Sequence, residues 1–526
     1  MSDNTNLGLR KRMMVNTLSN YGRMLLGLFI TIFMTRIIFL GLSREEYGLW
    51  AVMWSIFGYS LLFDFGFGTA VQKYTSETKV TEDWEHYNKL VSTIFFNYVF
   101  LAVVVFGLAF LLGNNLQHLL QFKLTHIEYY RIVFIMFGIG TAVVFPYGFY
   151  TEILHGLQEL HVRNIIQASF MVLNFVMVYL AMRYHYNLIG LTIATMVTNL
   201  GGNLMMVFIV HKKLPKFTIK IQYYDRKMIK KVMSFSIYAY LITFTNLIIF
   251  RTDQLVISVF ASVALVAVYQ IASRLAETYR QFAAQFLDNL SPIAATLFAA
   301  GKHEKMGEIM IQSNRLMGMI STVMIIPLLV YVKPLLQIWL NLNDQSGTIC
   351  AIVLLLSMYT LLAFRSSSVY ILIMANEQKR LTYIALLECA LNLGMSIFLL
   401  YHIDSYLKYF GIHIPNANII GVAVGTLIPN MILAAFFNIP VACKFCKITI
   451  GEYFKISVWR NLIVGLIIFA FAVLLQYISY PNNLLKIVIY SILIGIVYLL
   501  VYFRLGLDGW ERKQALEFVS NKLKRR

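Results

Sequence analysis

The chain has 526 residues, of which 59% are hydrophobic and 13% charged, with a mean hydropathy of +0.69 and 44 lysines and arginines against 25 aspartates and glutamates. A soluble globular domain carries about twice that share of charge, so a soluble fold is excluded and a many-span helical membrane protein is expected. The net charge of +19 collects beside apolar segments, which makes it a topological signal and an attraction for anionic lipid, not a nucleic-acid footprint.

The N-terminus reads Arg10-Lys11-Arg12 followed by an apolar run too long for a secretory signal and without a small-residue cleavage site, so it is expected to be an uncleaved first span. Apolar runs long enough to cross a bilayer follow near 14–41, 47–72, 90–113, 129–151, 164–182, 187–211, 232–258, 263–299, 308–332, 348–375, 381–402, 417–443, 461–480 and 483–503. They predict an all-α polytopic membrane protein of about fourteen transmembrane helices. The run at 263–299 exceeds one crossing, and its end is expected to protrude into water.

Lysine and arginine gather on the cytoplasmic side of membrane proteins. Here the odd-numbered loops hold only Arg44, Lys123, Arg131, Arg183, Lys333, Lys408 and Lys486, while the N-terminus, the even-numbered loops and the tail hold nearly all the other loop cations. Both termini are therefore expected in the cytoplasm.

Segment six returns in segment twelve, with Ile189-Gly190-Leu191-Thr192-Ile193-Ala194-Thr195 and Asn199 matched by Ile420-Gly421-Val422-Ala423-Val424-Gly425-Thr426 and Asn430. One span earlier, Leu173-Asn174 with Met177 returns as Leu391-Asn392 with Met395. Two matches in the same order, six spans apart, predict two parallel six-helix repeats followed by two C-terminal helices. The expected organisation is a first bundle over 1–211, a basic cytoplasmic linker over 212–231, a second bundle over 232–443, accessory helices over 444–504 and an amphipathic tail over 505–526, in which Trp510, Leu516, Phe518, Val519 and Leu523 sit among basic residues.

With Arg131 and Lys486, at the outer ends of their spans, counted among the loops, every cation inside the expected spans is arginine: Arg23, Arg36, Arg251, Arg274, Arg280, Arg315 and Arg365. A cation at the bilayer centre costs about 2.5 to 3.5 kcal/mol even on the mildest scale, so such residues face water, pair with a carboxylate or mark a substrate path. Arginine's planar fork fits phosphate bidentately, whereas lysine is a compact, strongly hydrated point charge. In span 1, Asn16, Asn20, Arg23, Gly27 and Thr31 form a narrow polar stripe. In span 8, Arg274, Glu277, Arg280 and Asp288 fall within an arc of roughly 120° on a helix.

Asp64, Asp253, Glu277, Asp288 and Glu388 are the carboxylates available for pairing or for taking up a coupling proton or cation. They are fewer than the arginines, and an anionic substrate would satisfy the surplus. Arg36 and Arg315 lie near span ends and are set aside; Arg23, Asn20, Arg274, Arg280, Arg251 and Arg365 are the candidate substrate-binding residues. Pro146, Pro292, Pro327 and Pro429 are expected bends. Cys443-x-x-Cys446 lacks a second ligand pair for zinc, no Gly-x-x-x-x-Gly-Lys phosphate loop is present, and no metal or other cofactor is expected.

Several local motifs resemble one family. Asn16 to Arg23, Leu42-Ser43-Arg44-Glu45-Glu46-Tyr47-Gly48-Leu49-Trp50 and Asp64-Phe65-Gly66-Phe67-Gly68-Thr69-Ala70 are similar to the opening of Wzx-type bacterial polysaccharide flippases of the MOP exporter superfamily. Asp253-Gln254-Leu255-Val256-Ile257 with Val268-Tyr269-Gln270-Ile271-Ala272-Ser273-Arg274-Leu275 resembles their span 7 to span 8 signature.

The resemblance implies a transporter, not an enzyme, that moves an undecaprenyl-diphosphate-linked oligosaccharide from the cytoplasmic to the outer leaflet of the bacterial inner membrane by alternating access. It also implies an arginine-lined central cavity with Arg23 and Arg274 at the positions of the lipid II flippases' span 1 and span 8 arginines. Asp64 stands where those proteins carry a span 2 arginine. The implied partners are the lipid-linked substrate, membrane lipids, a proton or sodium ion and polysaccharide-assembly proteins, with the chain as a monomer. An ion-coupled multidrug or organic-cation antiporter of the same superfamily is the alternative, expected to have an acidic cavity; a membrane glycan polymerase, which needs a large outer loop, is the more distant one.

Overall fold

The computed structural model describes residues 2–59, 67–120, 126–284, 303–374, 377–507, 511–513 and 517, and among these there is no β-strand. Asp64, Asp288, Pro292 and most of the expected amphipathic tail lie outside the described residues. The backbone divides into two compact units, Met1–Ala267 and Val268–Arg526.

The first unit contains α1 (Ser2–Gly41), α2 (Arg44–Gly58), α3 (Phe67–Thr81), α4 (Trp84–Asn114), α5 (Leu116–Leu120), α6 (Ile127–Val144), α7 (Tyr150–Gly156), α8 (Leu160–Arg183), α9 (Asn187–Lys213) and α10 (Arg226–Phe260), and α11 (Val263–Ala284) begins at its end. Side-chain caps let the chain turn sharply between helices. Ser43 and Glu46 form a reciprocal capping box that starts α2, two residues after α1 ends. Asp83 caps α4 by accepting from the His86 N–H at 3.0 Å, and Asp225 caps α10 by accepting from Lys227 at 2.8 Å.

Residues 214–225 run along α4, whose polar residues satisfy their backbone. Asn88 donates to the Lys216 carbonyl at 2.9 Å and accepts from Thr218 at 3.1 Å, while Ser92 and Thr93 accept from Lys220 and Asp225. Helix α10 then packs on α2, where Ser55 bonds Gln254 at 2.7 Å and Tyr59 bonds Thr252 at 2.6 Å. Segment seven is thereby laced to segment two inside the first unit.

The second unit is built around α12 (His303–Leu340), which carries Pro327 and also Pro334. It further holds α13 (Gln345–Thr360), α14 (Ser366–Met374), α15 (Gln378–Tyr409), α16 (Asn418–Leu433), α17 (Ile439–Phe445), α18 (Ile450–Tyr453), α19 (Arg460–Ile478) and α20 (Leu484–Val501), with π-helical turns at Leu361–Arg365, Ala434–Asn438, Phe454–Trp459 and Tyr502–Gly506. The last two expected spans pack directly on α12. Buried amides hold them there: Asn314 donates to the Ala363 carbonyl at 2.8 Å and to Ser457 Oγ at 3.3 Å, and Asn461 donates to the Arg315 carbonyl at 3.0 Å.

Among the described residues eleven helical stretches are long and apolar enough to cross a membrane, and the chain is a multi-pass membrane protein. Their outward faces carry large apolar side chains such as Leu25 and Phe29 of α1 and Leu466 of α19, as a lipid-facing surface requires. The other three expected spans are occupied by α2 with α3, by α10 and by α11. Each is either interrupted by charge or falls partly on residues outside the described set.

The two expected repeat copies make similar contacts that are not residue-for-residue equivalent, since Thr426 is matched in sequence by Thr195, about one turn before Thr198. In the first copy Asn174 of α8 donates to Thr198 of α9 at 2.8 Å, and in the second Asn392 of α15 donates to Thr426 of α16 at 3.1 Å. A Cβ on Gly190 would lie 2.9 Å from that of Ala181, and one on Gly421 would lie 2.4 Å from the carbonyl oxygen of Leu399, the residue equivalent to Ala181. Because backbone cannot yield as a side chain does, Gly421→Ala is expected to lower stability by about 1 to 3 kcal/mol. The thermal midpoint of the detergent-purified chain tests this against Gly394→Ala on α15, where nothing lies within 4 Å; equal midpoints would show that the close approach is dispensable.

Candidate functional site

The polar stripe of α1 faces α8. Asn16 donates from Nδ2 to the Gln158 carbonyl at 3.0 Å and accepts at Oδ1 from the His161 backbone N–H at 2.9 Å. Asn20 Oδ1 accepts from Arg23 Nη2 at 3.2 Å, and Gly27 leaves room for Met171, whose sulfur would sit 3.5 Å from a Cβ there. Helix α8 answers with a stripe of its own, Arg163, Gln167, Met171 and Asn174, on the i, i+4, i+8, i+11 ladder. Asn164 donates to Ser19 Oγ at 3.1 Å and ties the two helices together.

Between α1, α7, α8 and α9 lies an open-mouthed cavity of about 340 Å³. Arg23, Thr151, Gln167, Asn174, Thr198, Asn199 and Asn203 supply its polar wall, and Phe170, Met171 and Met206 the apolar one.

The charge in and beside this cavity is unbalanced. Arg23 Nε and Arg163 Nε are both buried without a hydrogen-bond partner among the described residues. The two guanidiniums are close enough to repel, and the carboxylate of Glu152 draws Arg163. Glu152 also accepts from the Gln72 amide and lies 3.7 Å from His155 Nδ1. An unsatisfied donor on a buried cation is costly, and an anionic oxygen entering the cavity would satisfy it. The arrangement can bind an anion; a cation would meet repulsion from two guanidiniums.

Residues 9–298, more than half of the chain, match the family described as polysaccharide biosynthesis protein. The chain belongs to that family. No curated protein matches the sequence. Among solved structures, the lipid II flippase MurJ in an inward closed conformation shares the fold with a TM-score of 0.68 at 15% identity, covering 93% of this chain and 99% of that one. A multidrug resistance MATE transporter of the MOP superfamily in an inward-facing conformation gives 0.63 at 14% identity, over 81% of this chain and 96% of that one. A MOP transporter from Pyrococcus furiosus gives 0.52 at 13% identity, over 83% and 96%. The all-helical MOP fold predicted from the sequence is the fold observed.

In this family member the other sequence-predicted residues are distributed as follows. Arg23 lines the cavity, and Asn20 is tied to it by accepting from Arg23 Nη2. Arg251 of α10 is half-buried, with Nε 3.9 Å from where a Cβ on Gly58 would sit, and Asp253, two residues on, is buried. In the second unit Arg274, Glu277 and Arg280 share α11, and Glu277 accepts from Gln281 at 3.1 Å. Arg365, at the end of a π-helical turn, and Glu388 of α15 form a buried bidentate pair with N···O distances of 2.8 and 2.7 Å.

Arg315 of α12 is held by both oxygens of Glu511 at 2.7 Å, by the Gly506 carbonyl at 2.7 Å and by Tyr502 Oη at 3.4 Å, so it pins the C-terminal segment to α12. Removing Glu511 strands a buried guanidinium, and Glu511→Ala is expected to cost about 3 kcal/mol. An unchanged thermal midpoint of the purified variant would show that solvent replaces the carboxylate. Cys443 and Cys446 are free, and burial together with the neighbouring Cys443 pushes the Cys446 thiol up to about 12. Among the described residues no group of three potential ligands could hold a metal ion.

Sequence reading missed Arg163, Glu152, Gln167, Asn199 and Asn203. Arg163 stands near a span boundary and reads as loop charge, yet the ladder that reveals the α1 stripe applies equally to 163, 167 and 174 on α8, and the pair 199 and 203 is spaced one turn apart on α9.

Proposed function

We propose that this protein is a flippase that moves an undecaprenyl-diphosphate-linked oligosaccharide, the repeat unit of a surface polysaccharide such as O-antigen, from the cytoplasmic to the outer leaflet of the bacterial inner membrane. The observation that carries the reading is the half-buried Arg23 guanidinium, its Nε buried and unsatisfied among the described residues, which lines a polar cavity in a polysaccharide biosynthesis family member. The diphosphate meets the guanidinium forks and the sugars meet the amides and hydroxyls, while the polyprenyl chain stays in lipid.

In this reading the two six-helix halves, 1–211 and 232–443, alternate access, with both termini in the cytoplasm and the chain acting as a monomer beside polysaccharide-assembly proteins. Arg274, Arg280 and Arg251 extend the cationic path, and Arg365 either extends it or serves only as the partner of Glu388. A proton or sodium gradient supplies the energy through Asp64, Asp253, Glu277, Asp288 or Glu388, or the membrane potential does so at about 2.3 kcal/mol per charge per 100 mV. The cationic character of the cavity disfavours an organic-cation antiporter.

The test is complementation of a flippase-deficient strain that makes this protein's own glycan. Restored surface glycan supports the reading. Raised resistance to organic cations without surface glycan would replace it with the antiporter.

A further inference from the structure

A second cavity, of about 330 Å³, lies in the first unit where α3 passes to α4 and α7 to α8. Its aromatic wall is Trp84, edge-on to Tyr87 with ring centroids 6.1 Å apart, and the Tyr87 hydroxyl is fixed 2.7 Å from Thr75 Oγ1. Its charged rim is Lys79, Glu82, Glu159 and Lys213. Two cations and two carboxylates leave no net formal charge, so an anionic headgroup or free phosphate gains little there. A neutral polyhydroxylated ligand gains more, since its hydroxyls can donate to carboxylates and accept from ammonium groups while its apolar C–H face covers an aromatic ring.

Backbone conformation marks the same rim. Glu82 (φ 56°) and Gln158 (φ 60°) are left-handed, each just past the end of a helix, where glycine is the residue the backbone prefers. The chain instead keeps a side chain at both, and strained non-glycine positions gather at functional sites. Among the described residues the Glu82 carboxylate has no hydrogen-bond or ion-pair partner, its ties being backbone ones to Thr78 and Trp84, whereas Glu159 is engaged by Lys213 at 3.2 Å and His161 at 3.5 Å. The turn from Leu157 to His161 serves both cavities: Leu157 and Glu159 line this one, and Gln158 and His161 bond Asn16 on the stripe that carries Arg23.

We infer that this cavity is a saccharide subsite that takes a sugar of the lipid-linked oligosaccharide, with Trp84 as its stacking platform and Glu82 and Lys79 as its hydroxyl-reading groups. The inference rests on the flippase reading for the source of the sugar.

The experiment uses the full chain in lipid nanodiscs and, as probe, the reducing oligosaccharide released by acid from the host's own surface glycan, followed by saturation-transfer NMR. Wild type is expected to transfer saturation to the sugar protons. Glu82→Gly, which the left-handed backbone favours, is expected to weaken binding about tenfold, the ratio of one charge-assisted hydrogen bond. Trp84→Ala is expected to abolish transfer and Trp84→Phe to retain it, while Gly394→Ala serves as the unaffected control. No transfer to wild type, or wild-type affinity in Glu82→Gly and Trp84→Ala, would overturn the subsite. If wild type binds the oligosaccharide yet fails to restore export in the deficient strain, the flippase reading falls and the saccharide site stands.

Discussion

Replacing Arg23 by alanine is expected to abolish surface-glycan export at unchanged membrane abundance, and replacing it by lysine to restore export only in part. Arg23 presents a buried Nε without a partner among the described residues and a single 3.2 Å bond to Asn20, so its fork is largely uncommitted within the protein. Because alanine removes no internal ion pair, folding should be little affected. A bidentate guanidinium–phosphate contact comprises two charge-assisted hydrogen bonds, each about 1.5 to 3 kcal/mol, so its loss predicts a drop in transport of about a hundredfold or more. Lysine keeps the charge and loses the fork. Immunoblotted membrane fractions and surface-glycan staining of the complemented strain decide the matter, and normal export by both variants would mean that Arg23 contributes nothing to substrate binding.

The opposite pattern is expected at Glu388. Arg365 and Glu388 are 8% and 7% exposed and joined by two short bonds, so each neutralises the other. Glu388→Ala leaves a buried, uncompensated guanidinium and is expected to cost about 3 to 5 kcal/mol, seen as lost membrane abundance and a lowered thermal midpoint. Replacing both at once, Arg365→Met with Glu388→Leu, removes the two charges together and is expected to restore abundance, since a well-packed apolar pair of similar volume is often neutral in stability. The double variant then assigns the pair's role. Export at wild-type level would make the pair purely structural, whereas an abundant but inactive protein would place Arg365 or Glu388 in transport. A Glu388→Ala protein as stable as wild type would refute the buried-pair account itself.

The polar stripe at Asn16, Asn20 and Arg23 was legible because a helix repeats every 3.6 residues and polar residues stand out against an apolar background. The Asn174 and Asn392 matches were legible for the same reason, and both turn out to donate to a threonine on the following helix. Arg163 was not legible as a site residue, because one residue near a span end carries the same letter whether it contacts lipid heads or turns inward. The fate of Arg315 depends on Glu511, 196 residues away, and no local pattern announces such a pairing.

Hydropathy by itself determined that this is a multi-pass helical membrane protein, and internal repetition and arginine usage raised the expectation of a duplicated fold and an anionic substrate. These properties depend on composition and period, which local sequence states directly. Only the tertiary structure decided which arginines are neutralised, Arg365 by Glu388 and Arg315 by Glu511, and that Arg23 opens onto a polar cavity with Arg163 nearby. The physical reason is that a guanidinium's charge is compensated by whatever lies within a few ångströms, and in a helical bundle those neighbours come from segments far apart in the chain.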